Sequence, residues 1–154
     1  MTDTHNVVIA EDDHDDFEMF NLAIEDLSLT VIIRRAENGE ILMQLLDAHI
    51  PDILFLDISL PRKDGKQCLR EIRANKKYDM LPVIMYTSFH DPKSIEFSFR
   101  EGANIFVIKP SSYVELKETL KNIFAIEWKK SMYYPALPDF VVNKRPGPDL
   151  KFTA

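Results

Sequence analysis

The sequence lacks the features of a secreted, membrane-spanning or nucleic-acid-coating protein. Cys68 is its single cysteine, so no disulfide can form within the chain. The N-terminal segment lacks the cationic, long apolar and cleavage regions of a signal peptide, and the composition does not indicate a membrane span. The formal net charge of −6 disfavours non-specific binding to nucleic acid, which requires a basic surface. We therefore expect a soluble cytoplasmic protein with no membrane contact and no direct DNA binding.

What is present is an ordinary globular composition over the length of one domain. The chain has 154 residues, 45% apolar and 29% charged, which suffices for one core but not for two. Cys68 lies among the apolar residues Leu69 and Ile72 at helical spacing. This favours a buried packing thiol over a reactive one.

Short apolar or β-branched runs alternate with amphipathic stretches along the chain. Strands are predicted at 6–10, 30–34, 53–56, 82–86 and 104–108. Most of them are continuously apolar, as strands buried on both faces are. Apolar residues at helical spacing, such as Phe17, Phe20 and Ile24, predict helices between the strands. The pattern predicts a doubly wound α/β fold, with a five-stranded parallel sheet between helices.

The last stretch of the chain differs from the rest. Residues 1–130 form the predicted domain, and residues 131–154 form a tail with prolines at 135, 138, 146 and 148 and no helical period. This tail is too short for a DNA-binding output domain. Because Tyr133, Phe140 and Val141 are apolar, docking on the domain or on a second subunit is the alternative to an irregular tail.

Polar residues with complementary chemistry follow the predicted strands. They are Glu11, Asp12 and Asp13 after the first strand, Asp57 after the third, Thr87 and Ser88 after the fourth, and Lys109 after the fifth. The carboxyl ends of parallel strands meet at one edge of a sheet, so these side chains should converge. Carboxylates this close repel one another unless a cation is bound, and an all-oxygen ligand set favours Mg²⁺.

The acids of the first loop have two readings. For Asp13, Asp15 and Asp16 we favour solvated positions in the first turn of a helix, where negative charge complements the helix dipole. For Glu11 and Asp12, directly at the strand end, we favour metal binding.

Asp57 ends an apolar run, where a charge is costly unless it has a partner. Its carboxylate could attack phosphorus and form an acyl phosphate, while Lys109 and the Thr87 hydroxyl bind phosphoryl oxygens. The residues thus predict a phosphoryl-accepting site.

Four segments, VVIAEDD, ILFLDISLPRKDG, LPVIMYTS and GANIFVIKP, together resemble the receiver domain of response regulators over residues 6–127. The resemblance implies a flavodoxin-like three-layer fold with strand order 2-1-3-4-5 and five helices, and a cis Lys109–Pro110 bond. It implies a phosphoacceptor that catalyses only its own phosphorylation and dephosphorylation, served by a sensor histidine kinase or a His phosphotransfer protein. The implied site consists of the phosphoacceptor Asp57, the Mg²⁺ ligands Glu11, Asp12, Asp57 and the Ser59 carbonyl, the phosphate-binding residues Thr87, Ser88 and Lys109, and the switch residues Thr87 and Phe106.

Family variation suggests which residues tune the signal. Ser59 and Phe89 are expected to set the lifetime of the acyl phosphate, with Phe89 shielding it from water. The output surface is expected on the fourth helix, fifth strand and fifth helix, with Phe106 and Phe97. Phe97 should be exposed because it lies away from the apolar face of its helix. A homodimer through this face or through the tail is a further expectation.

The alternatives to a phosphate-accepting receiver are a phosphatase, a cofactor binder and a receiver that takes no phosphate. A haloacid-dehalogenase-like phosphatase needs a second acid two residues after the nucleophile, and Ser59 stands there. A flavodoxin-like cofactor binder needs a hydroxyl- or glycine-rich loop after the first strand, where this chain has acids. A receiver that never takes phosphate is disfavoured because every site position is filled.

Overall fold

Strands and helices alternate along the chain, as the sequence predicts. The computed structural model describes residues 4–144. Its strands are β1 (His5–Ala10), β2 (Val31–Ala36), β3 (Ile53–Leu56), β4 (Val83–Thr87), β5 (Ile105–Ile108) and β6 (Val141–Val142). Its α-helices are α1 (His14–Asp26), α2 (Gly39–Ala48), α3 (Gly65–Ala74), α4 (Pro92–Arg100), α5 (Tyr113–Phe124) and α6 (Leu137–Phe140), and a 3₁₀ turn spans Lys76–Tyr78.

The strands form one parallel sheet between two layers of helices. Its order is β2-β1-β3-β4-β5-β6, which confirms the doubly wound prediction and adds a strand to it. In β3, Leu54 and Leu56 face the side of α2, α3 and α4, while Ile53 and Phe55 face the side of α1 and α5. The continuous apolar runs in the sequence are therefore strands buried on both faces.

The chain's last described stretch is more ordered than predicted. Five strands and five helices were expected, whereas residues 137–142, which we call the C-terminal cover, add α6 and β6. Proline is tolerated in the first helical turn, so Pro138 does not prevent α6. Val141 pairs with Phe106 of β5, and Phe140 is fully buried. The boundary at residue 130 stays a prediction, and residues 145–154 of the predicted tail lie outside the described residues.

Side-chain caps at the starts of α1, α4 and α5 position the loops that follow β1, β4 and β5. Asp13 caps α1 and accepts a hydrogen bond from the Asp16 backbone N–H at 2.9 Å. Asp91 caps α4 ahead of Pro92, and Ser112 caps α5 by accepting from the Glu115 backbone N–H. Because these side chains satisfy otherwise unpaired backbone donors, each helix begins at a defined distance from the strand before it.

Two further expectations can be compared with the fold. Between residues 4 and 144, no helix is long and apolar enough to cross a lipid bilayer. Cys68 is buried, and burial raises the pKa of its thiol to about 12. It is therefore a packing residue rather than a nucleophile.

Candidate functional site

The carboxyl ends of β1, β3 and β5 bring an ammonium group and buried carboxylates together. Lys109, directly after β5, places Nζ 2.9 Å from Asp57 Oδ2 and 2.7 Å from Glu11 Oε1. Asp57 is 4% exposed and Glu11 is fully buried. These groups lie far apart in the sequence, and the parallel sheet makes them neighbours.

Burial and charge change how these groups hold protons. Burial raises the pKa of Glu11 to about 8, with a further rise from nearby Asp57 and an opposing effect of Lys109. Burial alone would lower the pKa of Lys109, but the carboxylates of Asp57, Asp16 and Glu11 raise it well above its ordinary value. The ring of Tyr86 lies 5.7 Å from Lys109 Nζ and forms an apolar wall beside it. Lys109 is thus a permanent cation at a site rich in carboxylates.

Three of the carboxylates are arranged as a candidate metal site. Glu11, Asp12 and Asp57 each offer an oxygen, and these oxygens all lie within 4.8 Å of one another. An all-oxygen set with buried and exposed members suits Mg²⁺, which keeps several of its waters. Glu11 is fully buried, and this burial raises its pKa by disfavouring the charged carboxylate; a divalent cation would offset that cost. The residues therefore fit the predicted metal.

Backbone contacts hold the acids in place. The Arg35 guanidinium of β2 donates to the carbonyl oxygens of Glu11 and Asp12, at 3.0 and 3.1 Å, and so fixes the loop after β1. The backbone N–H of Ser59 donates to Asp57 Oδ1 at 3.1 Å. Ser59 thus lies next to Asp57, and metal binding by its carbonyl stays a prediction.

A glycine lets α3 begin against the loop after β3. A Cβ on Gly65 would lie 2.1 Å from the Asp57 carbonyl oxygen, so no larger residue fits without moving the backbone. This explains the glycine of the LPRKDG segment in packing terms.

The last residue of β4, Thr87, and the two residues after it lie at the same edge of the sheet. Thr87 is fully buried, and its Oγ1 accepts a hydrogen bond from the Phe89 backbone N–H at 3.2 Å. Ser88 is exposed, and the Phe89 side chain is 51% exposed. Phosphate binding by Thr87 and Ser88, and shielding by Phe89, stay predictions.

For Asp16, the structure differs from the expectation based on the sequence. Asp16 Oδ2 lies 2.7 Å from Lys109 Nζ, although Asp16 was expected to be a solvated charge of the first helical turn. Its neighbours match that expectation better, because Asp13 is the helix cap and Asp15 is exposed. The contact arises because α1 and α5 lie on the same side of the sheet, so the start of α1 stands over the end of β5. No spacing in the sequence signals it.

Comparison with known proteins identifies the family. A sequence profile of the response regulator receiver domain matches residues 7–121. The chain belongs to this family. The response regulator Rcp1 of Synechocystis is 31% identical over 88 residues, which are 56% of this chain and 58% of that protein.

Solved structures agree with the receiver fold. A response regulator structure from Chloroflexus aurantiacus is 31% identical, has a TM-score of 0.69, and aligns over 80% of this chain and 100% of its own. The Mn(2+)-bound form of response regulator Rcp1 has a TM-score of 0.73 at 22% identity, over 86% of this chain and 99% of that one. The protein is therefore a receiver domain of a two-component system, a family of signalling phosphoacceptors with a metal-binding acidic pocket.

The predicted switch aromatic of this receiver lies under the C-terminal cover. Phe106 of β5 is fully buried, and its ring centroid is 6.3 Å from that of Phe140. The Phe140 ring also lies edge-on to Phe99 of α4, at 5.0 Å. The face formed by α4, β5 and α5 is thus partly occupied by the chain's own residues.

Two expectations for the receiver are wrong. Phe97 is half-buried rather than exposed, because Lys66 and Arg70 of α3 lie over its ring at 5.7 and 5.1 Å. Its role in output stays a prediction. The cis Lys109–Pro110 bond is not found, since residues 4–144 contain no cis peptide bond. Lys109 reaches its carboxylates through the trans isomer, which X–Pro bonds intrinsically prefer.

Proposed function

We propose that this receiver domain takes a phosphoryl group on Asp57 in a Mg²⁺-dependent reaction. The donor would be the phosphohistidine of a sensor histidine kinase or a His phosphotransfer protein in the cytoplasm. The observation that supports this most directly is the 2.9 Å contact of Lys109 with Asp57, beside the three clustered carboxylates. The arrangement has a nucleophile, a candidate metal site and a fixed cation at one point.

The chemistry is a transfer between two nucleophiles. A carboxylate oxygen of Asp57 forms a bond to phosphorus as the P–N bond of the phosphohistidine breaks, and the imidazole keeps the electron pair of that bond. Mg²⁺ held by Glu11, Asp12, Asp57 and the Ser59 carbonyl would neutralise phosphoryl oxygens.

The chain's own residues supply the rest. Lys109 keeps its positive charge in this site and pairs with a phosphoryl oxygen. Thr87 Oγ1 accepts from Phe89 here, so its hydroxyl hydrogen can be donated to a phosphoryl oxygen. Hydrolysis of the acyl phosphate later returns Asp57 to its carboxylate form. The receiver therefore catalyses only its own phosphorylation and dephosphorylation.

Output would pass through protein contacts on the face of α4, β5 and α5, or through relay of the phosphoryl group to another protein. Movement of Thr87 toward the phosphoryl group would alter the packing around Phe106, which biases an existing equilibrium between two states. Because Phe140 lies against Phe106, the C-terminal cover would be the first structure to respond. A homodimer through this face or the tail would have to accommodate the cover.

The decisive test is phosphorylation by a small donor. The full chain is incubated with phosphoramidate, with and without Mg²⁺, and its intact mass is measured. We expect one phosphate adduct that requires Mg²⁺ and is absent in Asp57→Asn. No adduct, or one that persists in Asp57→Asn, would refute the proposal.

A further inference from the structure

The ammonium group of Lys109 contacts a carboxylate outside the candidate metal site. Asp16 Oδ2 lies 2.7 Å from Nζ, as close as Glu11 Oε1 and closer than Asp57 Oδ2. Asp16 does not belong to the cluster formed by Glu11, Asp12 and Asp57. Its partnership with Lys109 therefore needs an explanation other than metal binding.

Helix electrostatics alone does not account for this contact. The first turn of α1 already has Asp13 as its cap and Asp15 as a solvated acid. The Asp16 side chain is 43% exposed, so it could point to water, yet it contacts a residue 93 positions away. Asp15 carries the same charge one residue earlier, with its side chain exposed.

The charge balance shows what Asp16 would change. A divalent cation together with Lys109 would balance the three carboxylates Glu11, Asp12 and Asp57. Asp16 adds a fourth carboxylate to this group, and its partner is the ammonium that a phosphoryl oxygen must reach. An incoming anionic donor therefore meets a lysine whose charge is already compensated.

We propose that Asp16 is a positioning residue that holds the Lys109 ammonium and competes with the incoming phosphoryl group for it. It has two opposite effects. It takes up part of the positive charge that Lys109 also directs at Glu11 and Asp57, which leaves those carboxylates more available to a metal ion, and it weakens the attraction of the site for a phosphodonor. This inference rests on the proposed phosphorylation of Asp57 and adds a residue that limits its rate.

The test compares Asp16→Asn with Asp15→Asn, which removes the same charge one residue away without touching Lys109. Mg²⁺ affinity is measured by calorimetry, without any donor. Phosphate uptake from phosphoramidate is then measured at saturating Mg²⁺ for each variant. Asp16→Glu serves as the conservative replacement that keeps the ion pair.

In Asp16→Asn we expect Mg²⁺ to bind about threefold more weakly than in Asp15→Asn, and phosphate uptake to be about threefold faster, as for a half-exposed ion pair. Uptake by Asp15→Asn should stay within about twofold of the native rate because a solvent-exposed charge is screened. Uptake by Asp16→Glu should also stay within about twofold, because this variant keeps the ion pair with Lys109. A merely structural role would lower metal binding and uptake together.

Equal behaviour of Asp16→Asn and Asp15→Asn, or slower uptake in Asp16→Asn, would overturn the inference. These outcomes differ from failure of the proposed function, in which the native chain itself takes no phosphate.

Discussion

The C-terminal cover can be tested by removing its anchor, Phe140. This side chain is 1% exposed and packs against Phe99 and Phe106, which belong to α4 and β5. In Phe140→Ala the ring is lost and a cavity opens over the sheet. The substitution therefore measures how firmly the last described stretch is held to the receiver.

The expected loss has an upper limit set by the structure. A buried Phe→Ala change costs about 3–5 kcal/mol where the surroundings cannot move. The cover can detach, however, because it lies at the edge of the sheet: β6 pairs with β5 at only two residues, and the other apolar contacts come from the smaller side chains of Leu137, Val141 and Val142. Detachment would cap the loss at the docking free energy, so we expect about 2–4 kcal/mol.

Two measurements separate these contributions. Urea unfolding followed by circular dichroism gives the global free energy, and amide hydrogen exchange at Val142 reports docking of the cover. Both should change in Phe140→Ala, whereas Tyr134→Ala, which truncates an aromatic side chain that is 52% exposed, should lose less than about 1 kcal/mol. If the two variants have equal stability and Val142 exchange is unchanged, Phe140 does not anchor the segment.

Three further predictions concern the site. Gly65→Ala should cost about 1–3 kcal/mol in thermal unfolding and weaken Mg²⁺ binding, because its Cβ would lie 2.1 Å from the Asp57 carbonyl oxygen; native stability would contradict the packing argument. The pKa of Glu11 is raised from 4.5 to about 8, so the metal-free fold should lose stability as pH rises through this window, while Mg²⁺ affinity should increase; calorimetric affinity that is flat between these values would rule this out. Phe89→Glu should speed loss of the acyl phosphate by admitting water, and an equal or slower loss would remove the shielding role of Phe89.

The sequence predicted the doubly wound sheet of β1 to β5 and the convergence of the polar residues at one of its edges, while α6 and β6 were not predicted. Continuous apolar runs identify strands buried on both faces, and the ends of such strands must share one edge of the sheet. The shared edge predicts that Glu11, Asp57 and Lys109 lie close together. In the structure, the Glu11 and Asp57 carboxylates lie 2.7 and 2.9 Å from Lys109 Nζ.

The sequence pattern did not predict the side-chain contacts between neighbouring elements. A helical period tells which side of α4 faces the sheet, but not that Lys66 and Arg70 of α3 lie over Phe97. Likewise, the contact of Asp16 with Lys109 depends on the relative position of α1 and the end of β5. Side-chain reach across two elements is set by tertiary packing, which leaves no periodic signal.

The sixth strand covers the edge of the sheet that β5 would otherwise form. The family match ends at residue 121, but the sheet extends to Val142. Without β6, the apolar strand β5, with the sequence IFVI, would end the sheet as an open row of backbone donors and acceptors. Open apolar edges recruit strands from other molecules and promote aggregation. The segment after α5 thus covers the edge of β5, and a fragment that ends with α5 at Phe124 should aggregate more readily than the full chain.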